Sequence, residues 1–169
     1  MMSALLRART SSLALLIASA AILGTALVSQ YVGDLDPCIL CFYQRIPYAA
    51  TIALAVIGLA MSANIRTVGI VNGLAAVVFL IGAGIAAYHV GVELTWWSGT
   101  AQCAGTATGT AQSVEELRSQ IMSAPTARCD KVTWSLFGIS MAGYNLLVSL
   151  VLTGYAAMAS RHNLRQDPS

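Results

Sequence analysis

Four long stretches without charged side chains limit this chain to a small set of folds. They are Leu13–Val32, Ile46–Ile65, Thr67–Val92 and Trp134–Ser160, and the third contains His89. Each is long enough to cross a bilayer as a helix, and none shows the alternating apolar pattern of a barrel strand. The whole chain is 57% hydrophobic and 9% charged, whereas a soluble domain carries about 25% charged residues. We therefore predict an all-α membrane protein.

The predicted fold is a bundle of four transmembrane helices, because only helices and closed barrels satisfy backbone polar groups in lipid. The expected spans, within a single membrane domain covering residues 1–169, are 13–32, 43–64, 67–91 and 135–160. The first apolar stretch is longer than the core of a signal peptide, so we expect an uncleaved helix. One external loop covers residues 93–133. Within it, Ser113 and Glu116 form a capping box that predicts a short interfacial helix over residues 113–124.

The distribution of basic residues predicts which side of the membrane each segment faces. Every acidic residue except Asp167 lies on one side, while the other side carries Arg7, Arg9, Arg66, Arg161 and Arg165. Because basic residues favour the cytoplasmic side, both termini and the turn at Arg66 are expected there. All four cysteines are expected on the opposite side. The net charge of +2 reflects this topology and gives no reason to expect nucleic-acid binding.

Cys38 and Cys41 form a C-x-x-C pair where the second helix begins, and Arg45 follows one helical turn later. A helix N-terminus and a guanidinium both stabilise a thiolate, so the pattern favours a reactive thiolate at Cys41. Arg45 lies on the side that the positive-inside bias disfavours. This placement indicates a role beside the cysteines in preference to simple contact with lipid headgroups.

The other two cysteines, Cys103 and Cys129, lie in the external loop. Four cysteines allow three pairings, and the sequence does not choose among them. A pair at the membrane edge and an exposed, exchange-competent pair in the loop suggest an electron relay. Its acceptor must lie in the membrane. Because the chain has neither a c-type haem motif nor a dinucleotide-binding fingerprint, a quinone is the simplest acceptor.

Other interpretations of the same residues remain open. The cysteines could form structural disulfides in a membrane scaffold, or Cys38 and Cys41 could bind zinc with further ligands. The spacing of the loop cysteines matches no common zinc motif, and no metal is expected. The chain could also carry reducing power outward, although such carriers usually hold cysteines within their helices. His89, which follows Tyr88, could be an ordinary interfacial histidine.

Several stretches carry a more specific signal. They are PCILCFYQR at residues 37–45, AAYHVGVEL at 86–94, the lone Cys103, and CDKVTWSLFGISMAGYN at 129–145. In these stretches the chain resembles the DsbB family of bacterial inner-membrane disulfide-bond formation proteins. With the four helices and the external loop, the resemblance covers nearly the whole chain.

The resemblance implies a quinone-dependent protein-disulfide oxidoreductase. Cys103 and Cys129 would be the outer pair, which oxidises a soluble periplasmic DsbA-like oxidase of thioredoxin fold, with Cys103 attacked first. Cys129 would then engage Cys38 and pass the electrons to the inner pair. Cys41 would be the thiolate that faces the quinone, either ubiquinone or menaquinone.

The resemblance also implies further residue roles and a location. Arg45 would support quinone binding, and His89 would lie near the quinone. Glu93 and Trp134 match without an assigned role and are expected to be structural. The protein would be a monomer in the bacterial inner membrane, in contact with lipid and the quinone pool, with cytoplasmic termini and periplasmic cysteines.

Overall fold

The computed structural model describes residues 6–100, 103, 113–115, 118 and 127–166. Its four long helices are α1 (Ala8–Tyr31), α2 (Ile39–Ala60), α3 (Ile65–Glu93) and α4 (Met141–Arg165). Each is long and apolar enough to cross a membrane. The prediction of an all-α bundle of four membrane-spanning helices is confirmed, and the chain is a multi-pass membrane protein.

The third helix, α3, is the centre of the bundle. It packs most extensively against α4 and then against α2, whereas α1 packs mainly on α2 and touches α4 only weakly. Small residues permit these contacts, because a Cβ atom at Gly82 would lie only 3.1 Å from the ring of Pro47 in α2. Tyr48 and Phe79 fill the middle of the core, with ring centroids 5.9 Å apart. The weak contact between α1 and α4 leaves one side of the bundle open for a cavity.

Capping residues set the beginnings of α3 and α4. The side chain of Asn64 accepts a hydrogen bond from Thr67 N at 3.1 Å, directly after the short turn that makes α2 and α3 antiparallel. The side chain of Ser140 accepts one from Gly143 N at 3.1 Å. Each cap satisfies a backbone donor that the helix itself leaves unpaired.

The fourth helix begins at Met141, whereas the expected span started at residue 135. A two-residue hairpin precedes it, with β1 (Ser135–Leu136) paired antiparallel to β2 (Ile139–Ser140). The turn between the strands places Phe137 and Gly138 at positive φ, 49° and 77°. Glycine reaches that region freely and most other residues do not. This reversal of the chain prevents the helix from starting earlier.

The expected interfacial helix over residues 113–124 lies mostly outside the described residues. At the start of the same loop, Trp97 stacks on Tyr88 with ring centroids 5.8 Å apart. Its indole Nε1 donates to the backbone oxygen of Tyr88 at 3.0 Å. A Cβ atom at Gly91 would overlap the Trp97 ring. Only glycine therefore allows Trp97 to fold back against α3.

Candidate functional site

All four cysteines meet at one end of the bundle. Cys103 and Cys129 form a disulfide, while Cys38 and Cys41 are free thiols whose sulfurs lie 3.2 Å apart. Cys38 is the N-cap residue of α2, and Cys41 lies in the first turn of that helix. The sulfur cluster, which we define as these four cysteines, packs with Leu40 and Val92.

The loop disulfide is buried, although the sequence analysis expected it to be exposed. Cys103 and Cys129 are each 1% exposed. The backbone N–H of Cys129 donates to the carbonyl of Cys103 at 3.2 Å, and both residues pack against the start of α2 and the end of α3. Loop residues were expected to face water, but an apolar disulfide gains stability when a neighbouring apolar surface can cover it.

His89 lies beside the sulfur cluster. Its Nε2 atom is 3.6 Å from Cys38 Sγ, and its Nδ1 atom is 3.0 Å from the side-chain nitrogen of Gln44. The ligand atoms of Cys38, His89 and Cys129 all lie within 4.8 Å of one another. A metal would need thiolate sulfur, and Cys129 supplies none while it is in the disulfide.

The carboxylate of Glu93 links His89 to the start of α4. Its Oε1 atom is 3.9 Å from His89 Nε2, and its Oε2 atom accepts a 2.5 Å hydrogen bond from Ser140 Oγ. Ser140 is also the N-cap of α4, so Glu93 lies at the positive end of that helix dipole. These contacts join the end of α3 to the start of α4.

Cys38, just before the membrane-spanning part of α2, has a thiol pKa well below its ordinary value. The hydrogen bond with Cys41 is the main cause; burial acts in the opposite direction, and the nearby His89 lowers the pKa further. The sequence analysis favoured the thiolate at Cys41. In this reduced pair the thiolate is instead favoured at Cys38, because the Cys41 thiol, and to a lesser extent His89, stabilises negative charge on its sulfur.

A cavity of about 570 Å³ opens between α1, α2 and α4, on the side where α1 and α4 barely touch. Its polar lining includes Cys41, Gln44, Arg45, Tyr48 and Asn145. Its apolar walls include Ile22, Leu23, Trp134, Leu136, Met141 and Val148. Trp134, expected to be structural, therefore borders the cavity.

Arg45 is held at the cavity wall by helix α1. Its Nη1 atom donates to Gln30 Oε1 at 2.6 Å, and Nη2 donates to the carbonyl of Ala26 at 3.4 Å. The guanidinium carbon lies 5.0 Å from the centre of the Phe42 ring. These contacts fix a positive charge beside Cys41 at the edge of the apolar region.

Asn145 is a candidate functional residue that the sequence analysis did not single out. Its Oδ1 atom accepts a hydrogen bond from Tyr48, while its buried Nδ2 atom has no partner in the part of the chain that the structure describes. A buried donor without a partner at a cavity wall is suited to a ligand oxygen. An asparagine inside the long uncharged stretch 134–160 was the available signal.

Five of the six predicted site residues lie in the sulfur cluster, at the neighbouring cavity, or at both. Cys38, Cys103 and Cys129 lie in the sulfur cluster, Cys41 joins that cluster to the cavity, and Arg45 lies in the cavity. His89, expected near a quinone, is not among the residues that line the cavity. Gln44 lies between His89 and the cavity, because it borders the cavity and contacts the His89 ring.

A second cavity, of about 430 Å³, lies next to Cys103 on the loop side. Its lining includes Thr95, Trp96, Trp97, Gly99 and Asp130. A Cβ atom at Gly99 would lie 2.8 Å from the Cys103 Cβ atom. The absence of a side chain at Gly99 thus leaves room beside a disulfide that is otherwise covered.

Comparison with known proteins gives a consistent result. A family model described as "Disulfide bond formation protein DsbB" matches residues 8–159. "Disulfide bond formation protein B" of Chromohalobacter salexigens is 32% identical over 143 residues, covering 81% of each chain. The protein of the same description from Xylella fastidiosa (strain Temecula1) is 30% identical over 139 residues, covering 79% of each. "Uncharacterized protein RP370" of Rickettsia prowazekii is 28% identical over 148 residues, covering 86% of this chain and 84% of that one. No solved structure is significantly similar to the chain.

Proposed function

The chain belongs to the DsbB family of disulfide bond formation proteins, and from this premise we propose that it is a quinone-dependent protein-disulfide oxidoreductase. It reoxidises a soluble periplasmic DsbA-like oxidase of thioredoxin fold and passes the electrons to a membrane quinone. The protein works as a monomer in the bacterial inner membrane, with cytoplasmic termini and periplasmic cysteines. The positive-inside distribution of arginines supports this orientation.

The outer disulfide receives electrons from the partner. A partner thiolate attacks Cys103, the sulfur that borders the loop-side cavity, and Cys129 leaves as a thiolate. The cavity gives room for a short extended segment of the partner beside Trp97. Burial of the rest of the disulfide supports Cys103, and not Cys129, as the point of attack.

One observation carries the proposal of a relay: the sulfurs of Cys38 and Cys129 lie within 4.8 Å of each other. Disulfide exchange requires a thiolate to reach a disulfide sulfur directly. A movement of at most about 3 Å would bring Cys129 Sγ to bonding distance of Cys38 Sγ, since a disulfide bond is about 2 Å long. Two unrelated structural cysteine pairs would have no need to share one buried cluster.

The 570 Å³ cavity fits a quinone ring. Ligand sites of this kind have volumes of about 300–1,000 Å³, with apolar walls and a few polar groups. Arg45 and the unpaired Asn145 amide would hold the ring oxygens, while Cys41 would face the ring from the end of α2. A bound quinone supplies a two-electron acceptor that takes up two protons. Arg45 keeps positive charge at the place where the Cys41 thiolate meets the cavity.

Quinone reduction by the purified protein tests this function. The protein in lipid nanodiscs is mixed with a reduced thioredoxin-fold oxidase and with a ubiquinone or menaquinone analogue, and quinone absorbance is followed. We expect turnover by the wild type and none by Cys41→Ser with its Cys103–Cys129 disulfide intact. Full activity of Cys41→Ser would refute the proposed electron path.

Thiol trapping separates the relay from a scaffold or a metal site. A relay exchanges both cysteine pairs with the reduced partner oxidase. A scaffold would keep bridges that the partner leaves intact, and a metal site would hold thiols that react only after a chelator is added. Either of these last two results would contradict the proposal.

A further inference from the structure

On the basis of this proposed function, we propose that His89 is a catalytic residue of the transfer between the two cysteine pairs and does not bind quinone, with Glu93 as its positioning residue. The imidazole N–H stabilises the negative charge that the Cys129 sulfur carries before the first exchange and that the Cys38 sulfur carries after the last.

The position of His89 supports exchange in preference to quinone binding. The residue is 3% exposed, and its Nε2 atom lies 3.6 Å from Cys38 Sγ. Cys129 Sγ lies within 4.8 Å of Cys38 Sγ and of a ring nitrogen of His89. The quinone cavity is lined by Gln44 and not by His89, so the imidazole reaches two sulfurs of the cluster and is separated from the quinone by a side chain.

Gln44 determines which ring nitrogen of His89 carries the proton. Its side-chain nitrogen lies 3.0 Å from His89 Nδ1. An amide N–H that donates to Nδ1 requires that nitrogen to be the acceptor, and the proton of the neutral ring is then on Nε2. The N–H of His89 therefore points toward Cys38 and Cys129.

The transfer takes place in three steps that balance in bonds and electrons. First, the Cys129 thiolate attacks Cys38 Sγ; the Cys129–Cys38 bond forms, the Cys38–Cys41 bond breaks, and the electron pair stays on Cys41. Next, the second thiolate of the partner attacks the partner sulfur of the mixed disulfide; the partner disulfide forms, and Cys103 leaves as a thiolate. Cys103 then attacks Cys129; the Cys103–Cys129 bond forms again, the Cys129–Cys38 bond breaks, and its electron pair stays on Cys38. Two electrons have moved from the partner through the outer pair to the inner pair.

One N–H group near both sulfurs serves the first and the last of these steps. The charge is on Cys129 before the first bond forms and on Cys38 after the Cys129–Cys38 bond breaks. Hydrogen bonds to an ionised partner are stronger than those between neutral groups, and a buried site strengthens them further. A leaving thiolate that is stabilised also leaves faster.

Glu93 holds the imidazole in place without contacting the reacting sulfurs directly. Its carboxylate oxygen lies 3.9 Å from His89 Nε2, too far for a hydrogen bond but near enough for electrostatic attraction. The other oxygen is fixed by Ser140. The carboxylate thereby limits rotation of the His89 ring on the side away from Gln44.

A rapid-quench experiment separates attack of the partner on Cys103 from electron transfer to the inner pair. The oxidised protein is mixed with the reduced partner oxidase without added quinone, quenched with acid at successive times, alkylated, and examined by mass spectrometry for thiols at each cysteine. In His89→Met we expect thiols at Cys38 and Cys41 to form about 10- to 100-fold more slowly, the effect of losing one hydrogen bond to a charged group. Attack of the partner on Cys103 should keep its wild-type rate.

Three further variants complete the comparison. His89→Gln keeps an N–H donor in a side chain of similar length, and we expect it to recover most of the lost rate. His162→Met replaces the chain's other histidine, in the last turn of α4, and should match the wild type. Glu93→Gln should slow the inner-pair step less than His89→Met, because it only loosens the ring.

Equal slowing of both steps in His89→Met would overturn the proposal, as would a wild-type rate of transfer. Equal rates in His89→Met and His89→Gln would also overturn it. Loss of the fold in both His89→Met and His89→Gln would assign His89 a structural role and contradict a role in exchange. A wild-type protein that reduces no quinone would instead refute the proposed function, which this quinone-free measurement does not require.

Discussion

Single residues decide the chemistry at both the sulfur cluster and the cavity. Arg45 and Cys41 were predictable from spacing, because both positions follow from a helix that starts at a C-x-x-C pair. Asn145 was not predictable in the same way, since its unpaired amide is apparent only once α2 and α4 have been packed together. The burial of Cys103 also depends on contacts between distant segments, which local sequence patterns do not encode.

Replacement of Asn145 tests the cavity at the scale of one atom. We expect Asn145→Leu to raise the apparent KM for quinone about 10-fold, which corresponds to about 1.4 kcal/mol of binding free energy. The reason is the loss of a buried amide donor at the cavity wall that has no protein partner among the described residues. Steady-state quinone reduction at varied quinone concentration measures the change.

Asn72→Leu is the matched control for Asn145→Leu. Asn72 is fully buried in the bundle, its amide donates to Ser11 Oγ at 3.0 Å, and the residue does not line the cavity. The control should lower stability and leave the KM for quinone unchanged. An equal KM in wild type and Asn145→Leu would remove Asn145 from the quinone site.

The lowered pKa of Cys38 predicts a pH-dependent property of the reduced protein. Because the folded-state pKa lies below the value of about 8.5 for a free thiol, the thiolate should persist as the pH falls below that value. The associated stability is fully present above the unfolded pKa and is lost as the pH falls through the folded pKa. Thiolate absorbance near 240 nm, taken as reduced wild type minus reduced Cys38→Ser, measures the fraction of Cys38 that is thiolate at each pH. A midpoint at or above 8.5 would contradict the prediction.

At the scale of elements, the two helix ends near the sulfur cluster are coupled through Ser140. Helix lengths were largely predictable from the uncharged stretches, because the bilayer thickness fixes them. The start of α4 was not, since the positive φ angles of Phe137 and Gly138 reverse the chain before residue 141. Such a hairpin depends on a turn conformation that hydropathy does not report.

Ser140→Ala should destabilise the fold by more than the loss of a helix cap. An N-cap is worth about 1 kcal/mol, and removal of a hydrogen bond to a buried charged group costs about 1.5–3 kcal/mol more, here at Glu93. Asn64→Ala, at the cap of α3, removes a cap that serves the backbone alone. Unfolding midpoints in detergent compare the two. Equal losses of stability in Ser140→Ala and Asn64→Ala would mean that the Ser140–Glu93 contact does not stabilise the fold.

At the scale of the whole molecule, the arrangement of four spans follows from composition and charge, while the orientation awaits a direct test. We expect a membrane-impermeant thiol reagent to label Ser98→Cys from the periplasmic side of intact cells, and Ala63→Cys only after the membrane is opened. Both positions are exposed and lie at opposite ends of the bundle. The variants are made in a chain whose native cysteines are replaced by serine. The reverse labelling pattern would overturn the orientation.

The burial of the sulfur cluster has a consequence for the surroundings in which such a protein works. Small thiols and oxidants dissolved in water collide with any exposed sulfur, but the two sulfur-bearing residues of the outer disulfide are each 1% exposed, and Cys103 borders the loop-side cavity. A protein partner that inserts a shaped segment has an advantage over them. Burial thereby insulates the pair from the ambient redox buffer, so that in the proposed relay its oxidation state would follow the quinone pool and the partner oxidase.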